Sequence, residues 1–391
     1  MKPYRTILFL GDGMADEPLK ELDGKTPLQA ACTPNMDYIA ENGCSGTFLT
    51  LPEEFPTSSD VANMSVLGGD LATELCGRGP LEAASQNIRL ADNQIAFRLN
   101  LTTVDKNGIL RDFSGGHIPQ ADAQEAIELL NKELGTEKIR FEPGVSYRNL
   151  LILTGEEFTA DLICDKPDDN HGNPLAEHLP RPRGEGSELT AKVLCDLIGK
   201  ASKLLKNRGA NSIWPWSGGR IGNLHSLSKR YGIRAAVISA VDVIKGLGAC
   251  MGLDVINVPG ATGYIDTNYE GKADAAVKAL NTYNFVYVHV EAMDEVSHAQ
   301  NAELKIQAIE DFDNRLVGRV MQNAGKEVAY CVLPDHPVPI SLGKHTRTPV
   351  PVSVLQPGVE PDTVQVYDEE SVKTGSLGLM KGSDLMDLLL R

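Results

Sequence analysis

Apolar, β-rich runs alternate with amphipathic helical patterns along the second half of this chain, and that alternation constrains the fold more than any other feature. Strand signals near residues 212–216, 234–239, 254–258, 285–291 and 327–333 are separated by helical patterns over 241–250, 273–282 and 303–322. A helix linking two fully buried strands must cross a face of the sheet, so the strands run parallel and helices cover both faces. Runs at 4–10 and 46–51 add two strands near the N-terminus, and a strand at 352–355 with a C-terminal helix closes the pattern. The expectation is an α/β chain with a doubly wound, mostly parallel sheet.

The interval 94–182 has a different character. Short alternating strands at 94–104, 138–141 and 145–153 bracket one helix at 121–134, and a polar, Pro-rich run over 165–184 closes the segment. This reads as a smaller α+β insertion, 94–182, within a core domain of residues 1–93 and 183–391. The polar run is a solvated hinge or a loop that closes over substrate. A long amphipathic helix at 188–206 begins the return to the core.

Composition narrows the function classes. The chain of 391 residues carries 53 acidic and 37 basic side chains, a formal charge of −16. That argues against nucleic acid as a partner, because phosphate backbones need a basic face. A small phosphorylated substrate stays open, since bound divalent cations reverse the local sign. No apolar run approaches membrane-spanning length and the N-terminus carries no signal-peptide pattern, so no membrane partner is expected. The seven cysteines lack zinc-knuckle or redox spacing and read as free thiols of a cytoplasmic protein. Oligomeric state has no sequence signature here.

The chemistry concentrates at strand ends. Asp12 stands in Gly11-Asp12-Gly13-Met14 after the first strand, as a turn residue or as a ligand at the carboxyl edge of the sheet. Asp335 and His336 follow the 327–333 strand, in a loop that prolines 334, 337 and 339 keep from continuing as helix or central strand, with His345 further along. Asp294 and His298 are one helical turn apart, so both can face one ion. Ser59 opens a helical pattern after Phe55-Pro56-Thr57-Ser58, either as a plain cap or as a nucleophile at the positive end of a helix. The donors suffice for two ions: Asp294, His298 and His345 in one set, and Asp12, Asp335 and His336 with Ser59 in the other. Two nearby cations suit in-line phosphoryl transfer to a serine hydroxyl.

These residues carry a resemblance. Gly11-Asp-Gly-Met14, Thr26-Pro-Leu, Thr33-Pro-Asn-Met-Asp37, Ser59-Asp-Val-Ala62, Gly77-Arg-Gly-Pro80, Asp294-x-x-x-His298, Asp335-His336 and His345 are similar, in kind and order, to the motifs of archaeal-type cofactor-independent phosphoglycerate mutases, members of the alkaline phosphatase superfamily. The resemblance implies an alkaline-phosphatase-like core with a lid domain inserted in it. It further implies a glycolytic isomerase that interconverts 2- and 3-phosphoglycerate through phosphorylated Ser59, with two divalent ions (Mn²⁺, Mg²⁺, Zn²⁺ or Co²⁺) and no organic cofactor. By the same resemblance His117, Arg208 and Lys245 are candidate substrate contacts, and Asp165 is a candidate proton acceptor. Trp214-Pro215-Trp216 and Asn63 depart from common mutase patterns. They keep open a phosphotransferase acting on another small substrate such as homoserine, or a phosphohydrolase using the same site.

Overall fold

Strands whose every residue is apolar need cover on both faces, and the larger unit of the chain supplies it. The computed structural model describes residues 4–222, 224–325 and 327–391; residues 1–3, part of the lead-in read above for a signal peptide, lie outside the described residues. The chain divides into two compact units, Met1–Leu75 with Asn223–Arg391, and Cys76–Gly222.

Among the described residues the first unit contains eight strands in one sheet: β1 (Arg5–Gly11), β2 (Cys44–Leu49), β3 (Ala235–Ile238), β4 (Asp254–Val255), β5 (Phe285–Val290), β6 (Val328–Leu333), β7 (Val350–Leu355) and β8 (Gly378–Lys381). Their order across the sheet is β4-β3-β5-β1-β6-β7-β2-β8. The block from β4 to β6 is parallel throughout. β7 runs antiparallel to both its neighbours, and β8 is parallel to β2. This is the doubly wound, mostly parallel sheet that the alternation demanded. One face packs Ile7, Phe9, Val286, Val288, Tyr330 and Val332 against Phe312, Leu316 and Val320 from the long helical stretch before β6.

That stretch, expected as one helix over 303–322, is α-helical at Ala302–Asp311 and Arg319–Ala324 with a π-helical segment, Phe312–Gly318, between them. Thr33, just before Pro34, reads in the sequence as the cap of a helix start, but the capping acceptor is Asp313, buried in the π segment. Helix α1 (Pro34–Glu41) receives no side-chain hydrogen bond from its N-cap Thr33. Instead Asp313 Oδ1 accepts the amides of Met36 at 2.7 Å and Asn35 at 3.1 Å. A carboxylate at a helix N-terminus satisfies orphan donors and meets the positive end of the dipole.

The second unit is built on the 11-residue strand Gln94–Val104. It pairs antiparallel with Arg148–Thr154 on one side and Ser212–Gly219 on the other, and Ile139–Val145 extends the sheet. Helices Gln120–Leu134 and Glu188–Leu205 fill one face with Ala126, Ile127, Leu130, Leu194, Leu197 and Ile198. Two expectations need correction. The 212–216 strand and the 188–206 helix do not belong to the core sheet, and the unit boundaries fall at 76 and 222 instead of 94 and 182. The reason is packing, which composition does not report. Ser212 pairs with Thr102 and Gly219 with Ala96 along the central strand. The helix Arg78–Ser85 lies so close to that strand that a Cβ on Gly79 would stand 2.1 Å from the Ala96 carbonyl oxygen.

All seven cysteines are free. Among the described residues no helix is long and apolar enough to cross a membrane. Asp313→Ala should lower unfolding free energy by about 1–3 kcal/mol, because two amides at the start of α1 lose their acceptor. Thr33→Ala, which removes no cap, should change stability little; urea melts of the two variants check the contrast.

Candidate active site

Neighbouring strands β5, β1 and β6 end together, and each delivers a carboxylate to the same edge. Asp12 directly follows β1, Asp335 follows β6, and Asp294 sits in helix α3 (Ala292–His298) just past β5. Gly13, at φ +67°, lets the β1 loop press against α3: a Cβ there would lie 2.7 Å from Asp294 Cα. Its amide donates to Asp335 Oδ1 at 3.2 Å. Ser59 is the first residue of helix α2 (Ser59–Val66), whose N-cap Ser58 makes no side-chain capping bond.

The first donor set closes tightly. His298 Nε2 and His345 Nε2 are 3.0 Å apart, and they stand 3.4 and 3.2 Å from the two Asp294 oxygens. His298 Nδ1 faces the Gly343 carbonyl at 2.9 Å, so that nitrogen carries the proton in the neutral ring and the Nε2 lone pair points at the gap between donors. In the second set His336 Nε2 is the hub. It lies 3.1 Å from Ser59 Oγ, 3.4 Å from Asp12 Oδ1 and 3.4 Å from Asp335 Oδ2. The ligand atoms of Asp12, Asp294 and His336 also fall within 4.8 Å of one another, so Asp294 stands between the two sets.

The electrostatics call for cations. Asp12, Asp335 and His336 are almost wholly buried and Asp294 is 6% exposed. Burial, reinforced by the other carboxylates, pushes Asp12 well above the usual carboxylate range. Burial likewise raises Asp335 to about 7. Asp294 is also penalised by burial, but hydrogen bonds from His298 and His345 outweigh that and hold it low. The same bond raises His298 to about 9. Asp12 Oδ1 is buried without a hydrogen-bond partner, and Asp294 Oδ1 faces only the His345 imidazole. Buried carboxylate oxygens without donors, beside imidazole lone pairs, are what a divalent cation satisfies. The residues present therefore fit divalent metal ions.

The remaining sequence candidates belong to other elements. Asp165, His117 and Arg208 are all in the second unit. Asp165 accepts from His178 Nδ1 at 2.7 Å and from Arg181 at 3.1 Å. Arg208 is bonded to Glu125 at 2.7 Å, and His117 is an exposed residue at φ +52°. Lys245, in the first unit, pairs with Asp242 at 3.2 Å. Trp214 and Trp216 are 2% and 6% exposed, and their indole N–H groups donate to the Asp165 carbonyl and to Asn100 Oδ1. They are structural members of the second unit.

Sequence reading missed four buried polar residues around the site. His289 and Tyr287 lie on β5, Lys272 donates to the His289 carbonyl at 3.1 Å, and Lys305 binds Asp16 at 2.7 Å. A polar residue recurring every second position in an apolar strand (Phe285-Val-Tyr-Val-His-Val290) was the available signal for the first two.

A model described as the metalloenzyme superfamily matches residues 4–391. The 2,3-bisphosphoglycerate-independent phosphoglycerate mutase of Methanosarcina acetivorans is 47% identical over 394 residues, covering 98% of this chain and 99% of that protein. The chain belongs to the cofactor-independent phosphoglycerate mutase family. Another member so named, from Methanothermobacter thermautotrophicus, is 44% identical over 100% of this chain and 98% of its own. Among solved structures, the cofactor-independent phosphoglycerate mutase of Thermoplasma acidophilum aligns over 99% of this chain and 98% of its own, with TM-score 0.69 and 26% identity. A Pyrococcus horikoshii protein aligns over 99% and 96% with TM-score 0.83 and 26% identity.

In this mutase-family chain Lys272 gives a pH prediction. Burial pulls its ammonium down to about 8, against about 10.4 unfolded. The unfolded chain therefore binds the extra proton between those values, and stability should rise by about 3 kcal/mol as pH climbs from about 8 to about 10.5. Lys272→Met should remove that rise relative to the parent chain, read from urea melts across the window.

Proposed function

We propose that the chain interconverts 2-phosphoglycerate and 3-phosphoglycerate, with Ser59 carrying the phosphoryl group between the two half-reactions. The observation that carries this reading is Ser59 Oγ, 3.1 Å from His336 Nε2 at the start of a helix, beside two buried carboxylates. Asp12, Asp335, His336 and Ser59 would hold one divalent ion, and Asp294, His298 and His345 the other. Such ions supply Lewis acidity, making the serine hydroxyl a competent nucleophile and offsetting charge on the transferring phosphoryl group.

The protein's share is positional. Ser59 Oγ attacks phosphorus, the bond from phosphorus to one glycerate oxygen breaks, and that oxygen takes up a proton. The glycerate turns, its other hydroxyl attacks the phosphoserine, and Ser59 is released with its proton restored. Asp165 is the candidate for proton exchange with the free hydroxyl. His117, Arg208 and Lys245 are the candidates for holding the carboxylate and phosphate, arginine being suited by its forked donors. Water must stay out while phosphoserine exists, otherwise the enzyme hydrolyses its intermediate. We assign that exclusion to the second unit acting as a lid. Free thiols at all seven cysteines fit a glycolytic role in a reducing cytoplasm.

Purified protein supplied with Mn²⁺ should equilibrate 2- and 3-phosphoglycerate without added bisphosphoglycerate, followed by ³¹P NMR. Chelation should abolish the exchange and Mn²⁺ should restore it. Ser59→Ala should reduce kcat at least about a thousandfold, as loss of a nucleophile does elsewhere. Mass spectrometry should find phosphate on the Ser59 peptide of the parent chain. Phosphate release without isomerisation would replace this reading with that of a phosphohydrolase.

A further inference from the structure

Tyr287 and His289 are alternate residues of β5, so they leave the strand on the same face, and both are fully buried. His289 Nε2 lies 3.0 Å from Asp12 Oδ2, and its Nδ1 lies 3.2 Å from Ser239 Oγ. A carboxylate only accepts, so Nε2 carries the proton and Nδ1 accepts from the serine hydroxyl, whose oxygen takes the Val241 amide at 3.0 Å. Tyr287 donates to Asn63 Oδ1. That leaves Asn63 Nδ2 to donate to Asp335 Oδ2 and to the Ser59 carbonyl, both at 2.8 Å. The flipped amide would set an oxygen against two acceptors, so the orientation follows from the network. Both lines end on carboxylates of one donor set, the set that holds Ser59. The other set is oriented by a different group, the Gly343 carbonyl on His298.

We propose that His289 and the Tyr287–Asn63 pair are positioning residues that set the divalent-ion affinity of the Asp12, Asp335, His336 and Ser59 group and leave the Asp294, His298 and His345 group unaffected. His289 takes up one oxygen of Asp12 and leaves Oδ1, the oxygen without a hydrogen-bond partner, turned to His336 Nε2. Asn63 fixes the Asp335 plane and ties it to the backbone of the nucleophile. Asp12, held at one oxygen, cannot rotate away from an ion bound at the other. Asp335 is held through both oxygens, Oδ1 by the Gly13 amide and Oδ2 by Asn63, with Oδ2 still turned to His336 Nε2. The inference rests on the two-ion reading above.

The test uses the full chain, stripped of metal and titrated with Mn²⁺, with free ion counted by electron paramagnetic resonance. The parent chain should bind two ions. His289→Leu should weaken one of them by about 10–100-fold and leave the other unchanged, and His289→Gln, which restores a donor, should recover part of the loss. Tyr287→Phe removes a single oxygen and should weaken the same ion by about tenfold; it decides the matter if His289→Leu fails to fold by circular dichroism. In a His298→Ala background, where only the Ser59 set remains complete, Tyr287→Phe should weaken the one tight ion that is left. Equal weakening of both ions, or no change in folded variants, overturns the proposal and leaves the two-ion reading standing. A parent chain that binds fewer than two ions overturns both.

Discussion

Mutual repulsion among buried carboxylates is the constraint on which the rest of this structure depends. Asp12, Asp294 and Asp335 arrive at one sheet edge because β5, β1 and β6 are parallel neighbours in register. Taken out of water together, they cannot all stay ionised without cations, which is why burial and mutual charge raise Asp12 and Asp335. Divalent ions convert that cost into a fixed array of ligands. A chain of net charge −16 can then receive an anionic substrate, because the local sign at the site is reversed.

An array of that kind works only if its loops do not drift, and several groups pin them. Lys305, fully buried, donates to Asp16, to the Ala15 carbonyl and to the Val338 carbonyl, joining the loop after β1 to the loop after β6. Arg347, two residues past His345, donates to the carbonyls of Pro52 and Phe55 and so fastens the segment that leads to Ser59. Each of these is a charged group bound to backbone carbonyls, so losing it would leave several acceptors unsatisfied at once. The cations of the protein thus hold the loops on which the buried carboxylates stand.

Much of this was legible in the sequence, for identifiable reasons. Parallel strands buried on both faces read as uninterrupted apolar runs, so β1, β5 and β6 and the donors at their ends could be placed from one chain alone. Helix spacing joined Asp294 to His298, and the prolines after β6 marked a loop. The strand Ser212–Gly219 also read as a buried run, yet it pairs with Gln94–Val104 in another sheet. A run reports burial without naming its partner, which is why the unit boundary was misplaced. Thr33 looked like the cap of α1, but the acceptor came from Asp313, at a sequence separation of 277 from Met36 that no local rule reaches. Tyr287, His289, Lys272 and Lys305 escaped because a polar residue inside an apolar pattern has no meaning until its partner is known.

The second unit shows the converse limit. Its sequence candidates already have partners of opposite charge: Arg208 has Glu125, and Asp165 has His178 and Arg181. A substrate phosphate or carboxylate that engages Arg208 has to compete with an existing ion pair. For a pair as open as Arg208 with Glu125, whose carboxylate side chain is 67% exposed, solvent screening makes that competition weak. A doubly charged phosphate with several acceptor oxygens outbids a solvated carboxylate on those terms. Paired charges on this unit are therefore compatible with substrate contact. The candidate metal donors, by contrast, stand out in the structure because buried like charges have no structural use of their own.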